Sequence, residues 1–302
     1  MAFNFSVFKV RALSAIVFVF IMLAGLLFNN WSFFALFLVI QVGCLFEYQK
    51  LMRAIFPSYA QISKMHQWGV LAVGVLMMVS LAPSDIALPA AFLQKLPIAY
   101  QSIGLRWIGL RLMPVALVLM MIADVFARKA DIRNLAISFF GFIYITISLA
   151  LFFAIRGMFL NSMMAMFIPN IELMVPILVI VTVWINDTMA YLVGSFIGRT
   201  PISPISPKKT WEGTIAGVIL SVVILSMVAG QFIPISTPYL FLITFVASVM
   251  GNLGDLFESK LKRLAGVKDS GSMMPGHGGF LDRFDSVLFA GPFVWILLQF
   301  IF

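Results

Sequence analysis

Residues 173–197 read LMVPILVIVTVWINDTMAYLVGSFI, 25 positions without one Lys or Arg. A helix that crosses a bilayer needs about 20 mostly apolar residues, and this run supplies them. It also holds Asn186, Asp187 and Thr188 in succession. Three polar neighbours cannot all face hydrocarbon, because a carboxylate at a helix centre costs about 2.5–3.5 kcal/mol on insertion scales. The run therefore reads as a membrane span that turns its polar residues inward. On a helix, Asp187, Tyr191, Gly194 and Gly198 share one face.

The same pattern recurs along the chain. Nine spans are predicted, at 12–28, 31–48, 68–82, 108–127, 135–156, 173–197, 213–233, 238–257 and 284–302. The third is short, and residues 84–100 read as a re-entrant or interfacial piece. The first reads as a retained span and not a cleaved leader, because no small-x-small site follows and another span begins at once. Composition agrees. Of 302 residues, 62% are apolar and 11% charged, against about 25% charged in a soluble protein. Mean hydropathy is +1.06. The two soluble domains that the length would allow are excluded, and the fold class is an all-α polytopic integral membrane protein of about nine transmembrane helices. A lone cysteine, Cys44, excludes an internal disulfide and a Cys-rich metal site.

The formal charge of +8 points to no nucleic acid here, because its placement matters more than its sum. Sixteen of the 20 Lys and Arg fall on one side of the alternating spans. Positive residues concentrate on the cytoplasmic side, so the N-terminus is expected inside, the C-terminus outside, and the protein in the inner (cytoplasmic) membrane.

Seven of the 12 acids, namely Asp187, Glu212, Asp255, Glu258, Asp269, Asp282 and Asp285, lie between 187 and the end. Chemistry is therefore expected in residues 171–302, with 1–170 as a hydrophobic frame making dimer and lipid contacts. The first 170 residues offer little beyond Asp124 and Asp131, which flank Arg128 and Lys129 and read as interfacial ion pairs. His66 reads as part of an ordinary loop. No Ser–His–Asp order or zinc spacing appears.

Three stretches carry the polar residues. The first is Asn186 to Tyr191. Its neighbours Gly194-x-x-x-Gly198 and Gly213-x-x-x-Gly217 are small-xxx-small pairs that suit helix packing. The second is Ser206-Pro207-Lys208-Lys209-Thr210-Trp211-Glu212-Gly213. Its two lysines beside a helix start make a cationic site for phosphate, or a plain topology signal. The third begins at Gly254 and Asp255. If the eighth helix continues, Asp255, Ser259, Lys262 and Arg263 form one stripe from the membrane to its surface. Lys268-Asp269 follow, then the glycine-dense Pro275-Gly276-His277-Gly278-Gly279. Asp282-Arg283-Phe284-Asp285 then opens the ninth span with two carboxylates on one face.

Carboxylates, cations and glycines without a set-up nucleophile suit phosphoryl or nucleotidyl transfer, where catalysis is mainly positioning and charge neutralisation. Mg²⁺ is commonly held by one or two carboxylates plus substrate phosphates. Asp255 with Asp282, and Asp285 or Asp187 beside them, are the candidate ligands. A transporter built on Asp187 and Asp255 is the rival class. Against it, the charges cluster at span ends and not at a midplane site between broken paired helices.

The run Ser259-x-Leu261-Lys262-Arg263-x4-Lys268-Asp269-x-Gly271-x2-Met274-Pro275-x-His277-Gly278-Gly279-Phe280-x-Asp282-Arg283-Phe284-Asp285 closely resembles the signature of the CDP-diacylglycerol synthases (phosphatidate cytidylyltransferases). Met274 stands where the family usually has Leu, Ile or Phe, a swap that conserves volume. The stretches at Asp187, at Ser206–Gly213 and at Gly251–Asp255 resemble it too, so the similarity spans about residues 184–285. The resemblance implies that phosphatidate and CTP give CDP-diacylglycerol and pyrophosphate with Mg²⁺, and a second, monovalent cation such as K⁺ beside it. It implies Asp255 and Asp282 as metal ligands, with Asp285, Lys208 and Lys268 completing the catalytic set. Lys208 and Lys209 would hold CTP phosphates. Asp187, Ser259, Lys262, Arg263, His277, Gly278, Gly279 and Arg283 would bind lipid or nucleotide. It also implies a homodimer.

Overall fold

A computed structural model describes residues 5–82, 104–126, 131–160, 166, 168, 170–273 and 278–302. Nine helices follow one another among the described residues: α1 (Phe5–Leu27), α2 (Asn30–Ile55), α3 (Lys64–Ser80), α4 (Leu105–Phe126), α5, α6 (Ile171–Ile197), α7 (Trp211–Ala229), α8 (Thr237–Leu264) and α9 (Leu281–Ile301). Helix α5 runs Ile132–Gly141, loosens into a π-turn at Phe142–Ile147 and continues as Ser148–Leu160. A short 3₁₀ turn, Tyr59–Gln61, joins α2 to α3. An isolated β bridge joins Pro201 to Thr210.

All nine predicted spans coincide with a helix, and seven of these, α2 and α4–α9, are long and apolar enough to cross a membrane. The chain is an all-α, multi-pass membrane protein. One expected span falls short by length. Helix α3 has 17 residues, or about 25 Å at 1.5 Å per residue, under the ~30 Å of hydrocarbon. Helix α1 has 23 residues, about 34 Å at the same rise, and Leu13–Leu27 belongs to its apolar part. The expected piece at 84–100 lies outside the described residues.

Local chemistry sets the helix starts. Asn29 and Ser32 form a reciprocal capping box on α2. The Ser63 hydroxyl accepts from the His66 amide on α3, Asp131 accepts from the Arg133 amide on α5, and Thr210 accepts from the Gly213 amide on α7. Between helices already in lipid the hydrophobic effect is weak, so close contact does the holding. Phe37 meets Phe152 at 5.1 Å and Phe33 meets Phe153 at 5.4 Å between ring centroids, locking α2 to α5. The two small-xxx-small pairs serve a seam within the chain. A Cβ on Gly213 would sit 2.5 Å from the Ala190 carbonyl oxygen, and one on Gly217 would sit 2.8 Å from that of Asn186. Helices α6 and α7 therefore pack backbone to backbone.

One sequence reading changes at this level. Asp124 makes no exposed ion pair of the kind expected. It is buried, and its Oδ2 lies 2.7 Å from Nδ1 of His66. That histidine is itself buried in the first turn of α3 and is no ordinary loop residue. Burial of two polar side chains forces them to find each other, and 58 residues of separation hide the pairing from the sequence. Asp131 acts as the cap of α5, while Arg128 and Lys129 lie outside the described residues.

Candidate active site

Helices α8 and α9 approach closely because Gly254 lacks a side chain. A Cβ there would stand 2.4 Å from the Asp285 carbonyl oxygen. The approach brings three carboxylates together: one ligand oxygen from each of Asp255, Glu258 and Asp285 lies within 4.8 Å of the others. Glu258 and Asp285 are buried and Asp255 is half-buried. Asp255 and Glu258 share the site-facing side of α8 at i and i+3. Beneath them the Asn252 amide donates to Asn186 Oδ1 at 3.3 Å, which ties α8 to α6. Helix α8 does continue, and Ser259 donates to Asp255 at 3.4 Å along the expected stripe.

Cations border this group. Lys209 forms an ion pair with Asp255. Lys262 pairs with Glu258 and also donates to Asp282 Oδ1 at 2.7 Å. Asp282 is thus linked to the acidic group through one lysine, and Asp255 and Asp282 belong to one charged network. The other oxygen of Asp282 accepts from the Ser270 amide at 2.9 Å and the Gly279 amide at 2.7 Å. These bonds tie Ser270 and Gly279 to the start of α9.

The loop that carries the lysine pair is fixed from its far side. Glu212 accepts from the amides of Arg199 and Thr200 at 3.2 Å and from the Thr200 hydroxyl at 2.9 Å. The Ile202 amide donates to the Lys209 carbonyl at 2.9 Å, which closes the loop on itself. Arg263 reaches back to the Ile205 carbonyl at 3.4 Å. Lys209 therefore points into the site, and Lys208 beside it is exposed.

Sequence reasoning passed over Glu47. It stands on α2, in the half read as a frame, yet it binds Ser270 and the start of α9. Its Oε1 accepts from the Phe280 amide at 2.9 Å and its Oε2 from the Leu281 amide at 2.8 Å. The Ser270 hydroxyl lies 2.8 Å from Glu47 Oε2 and 2.9 Å from Asp282 Oδ2, so its single hydrogen serves one carboxylate at a time. Gly279 leaves room for this, since a Cβ there would meet Glu47 Oε1 at 2.2 Å. The available signal was that Glu47 is the sole acid in the predicted span 31–48, where an acid is a functional candidate by default. Glu258 was in plain view but carried no assigned role.

The remaining expected residues divide. Gly278 takes the left-handed region at φ 85°, which a glycine tolerates without strain. Arg283 is half-buried on the first turn of α9. Lys268 is exposed, as is Asp187 on α6, whose Oδ1 lies 3.4 Å from the Asn186 amide nitrogen. His277 lies outside the described residues.

Known proteins resemble part of this chain. The phosphatidate cytidylyltransferase of Bacillus subtilis is 50% identical over 121 residues, 39% of this chain and 45% of that protein. The phosphatidate cytidylyltransferase of Staphylococcus saprophyticus is 48% identical over 118 residues, 38% of this chain and 45% of its own length. Phosphatidate cytidylyltransferase 4, chloroplastic, of Arabidopsis thaliana is 47% identical over 119 residues, 38% of this chain and 29% of its own. The chain thus spans under half the length of each of these curated relatives. A family model described as the cytidylyltransferase family matches residues 9–301, nearly the whole chain. With its acidic cluster, its bordering lysines and this match from end to end, the chain belongs to the cytidylyltransferase family.

Proposed function

We propose that this protein transfers the cytidylyl group of CTP to phosphatidate, giving CDP-diacylglycerol and pyrophosphate at the cytoplasmic face of the inner membrane. The observation that carries the reading is the Asp255–Glu258–Asp285 group, bordered by Lys209 and Lys262. The attacking atom is an anionic oxygen of the lipid phosphate, so no strong base is required of the chain. It attacks the α-phosphorus of CTP, and pyrophosphate leaves. The obstacle is repulsion between two anions, which fixed cations reduce.

An all-oxygen donor set suits a hard divalent ion such as Mg²⁺, so the residues present fit one. Asp255, Glu258 and Asp285 would hold it, with Asp282 tied to them through Lys262. When bound, such an ion neutralises developing charge between the substrate phosphates. Lys208 and Lys209 bind the CTP phosphates, and the Glu212-clamped loop holds them in place. Lys262, Arg263 and Arg283 bind the phosphates nearest the α8–α9 junction. Beside that junction a cavity of about 410 Å³ runs between α1 and α2, lined by Val17, Ile21, Ile40, Met273, Phe280 and Phe284. Its apolar wall suits the acyl chains of phosphatidate. A homodimer belongs to the same reading, with a face other than the α6–α7 seam.

The test is pyrophosphate release by the purified protein in mixed micelles. Release that needs CTP, phosphatidate and a divalent ion together, and stops on chelation, is expected. No turnover with all three present overturns the proposal.

A further inference from the structure

Four polar side chains meet away from the acidic cluster, each from a different element. Asp124 Oδ2 on α4 lies 2.7 Å from His66 Nδ1 on α3, and His66 Nε2 lies 2.8 Å from the Ser138 hydroxyl on α5. The Tyr59 hydroxyl, from the 3₁₀ turn, lies 3.0 Å from that same Ser138 oxygen. All four are buried, Tyr59 at 0%, His66 at 1%, Ser138 at 5% and Asp124 at 8% exposure.

A cavity of about 550 Å³ opens onto this group. His66, Asp124 and Ser138 are among its lining residues together with Met113, Leu117 and Met121, and its surface is almost wholly apolar. The size falls within the ~300–1,000 Å³ of small-molecule sites. Its wall residues Met121, Val125 and Phe139 are also exposed on the outer surface, so a lipid chain can reach it sideways from the bilayer.

We propose that Ser138, His66 and Asp124 form a nucleophile, a base and an orienting acid that act on the carboxylic ester of a membrane lipid, with the acyl chain in this cavity. Tying helices together needs only satisfied polar groups. It does not need those residues to line an apolar space of ligand size. The roles follow from geometry: nucleophile bonded to base, base bonded to acid. Ser138 Oγ attacks the ester carbonyl carbon and its proton passes to His66 Nε2, while Asp124 holds the Nδ1–H. The bond to the lipid alcohol breaks, and that alcohol leaves with the proton from His66. Water then attacks the acyl-serine, giving its proton to His66. The fatty acid departs and Ser138 recovers its proton. The net reaction is ester plus water to fatty acid plus alcohol. Burial raises the Tyr59 hydroxyl above its ordinary value, so it stays protonated as a donor beside the reacting oxygen. This activity stands apart from cytidylyl transfer and survives if that reading fails.

The test treats the whole protein in lipid nanodiscs with alkyl fluorophosphonates of long and short chain, and maps adducts by peptide mass spectrometry. The wild type is expected to carry an adduct on Ser138, formed about 10-fold faster with the long chain because more apolar surface enters the cavity. His66→Gln is expected to slow labelling by roughly 10²-fold, the smaller end of a general base's contribution. A wild-type protein with no adduct on Ser138 overturns the proposal, whatever the variants do, and so does labelling indifferent to chain length or to His66.

Discussion

The acidic group shows how burial changes the value of a single side chain. Asp282 receives two amides and a lysine, so its charge is both held and used to hold. Asp282→Asn removes one of the two anions that Lys262 pairs with and turns an amide NH₂ toward existing donors. Pyrophosphate release is expected to fall roughly 10²-fold or more, the range seen when one electrostatic partner of a reaction is lost, while the protein remains monodisperse on size exclusion. A variant at wild-type rate would remove Asp282 from the site. Glu47→Gln keeps the shape but gives up the charge that receives the Phe280 and Leu281 amides. Leaving a buried donor poorly paired costs about 1–3 kcal/mol, so a lower melting temperature and a reduced kcat are expected together. Glu47→Asp should restore part of kcat; equal kcat in wild type and Glu47→Gln would make Glu47 a bystander.

Helix packing decides whether the carboxylates meet at all. Helices α8 and α9 are set by a contact that tolerates no methyl group, since the Cβ of Gly254→Ala would press on the Asp285 carbonyl at 2.4 Å. Backbone cannot yield as a flexible side chain does, so the helices must separate. Overpacking of this kind costs about 1–3 kcal/mol. The expected outcome is a lower melting temperature with a loss of turnover larger than that loss of stability explains, because Asp285 shifts relative to Asp255. The same substitution at Gly266, where nothing lies within 4 Å of a Cβ although its φ is 69°, should lower stability by backbone strain without that excess loss of turnover. If the two variants lose turnover alike, α8–α9 spacing is not what positions the carboxylates.

At the scale of the molecule, the proposed site needs the loops of α6–α7 and α8–α9 on the cytoplasmic side. Ser272 is exposed in the second of these, and Cys44 is fully buried, so Ser272→Cys offers one accessible thiol among the described residues. A membrane-impermeant maleimide should label it in inverted vesicles and not in intact cells; labelling from outside would invert the topology. Much of this arrangement was legible in the chain. Long runs of apolar residues set the helices and the membrane, because a bilayer demands length and hydropathy, both of which are properties of a one-dimensional string. Asp255, Asp282 and Asp285 were legible for the same reason, as charges that hydrocarbon does not tolerate without purpose. What only the folded molecule decided was pairing across distance. Glu47 reaches a loop 233 residues away, His66 finds Asp124 and Ser138, and Glu258 joins Asp255 and Asp285. No local pattern encodes these meetings. They follow from which helix faces which neighbour, and buried polar groups then bond to whatever partner that packing presents.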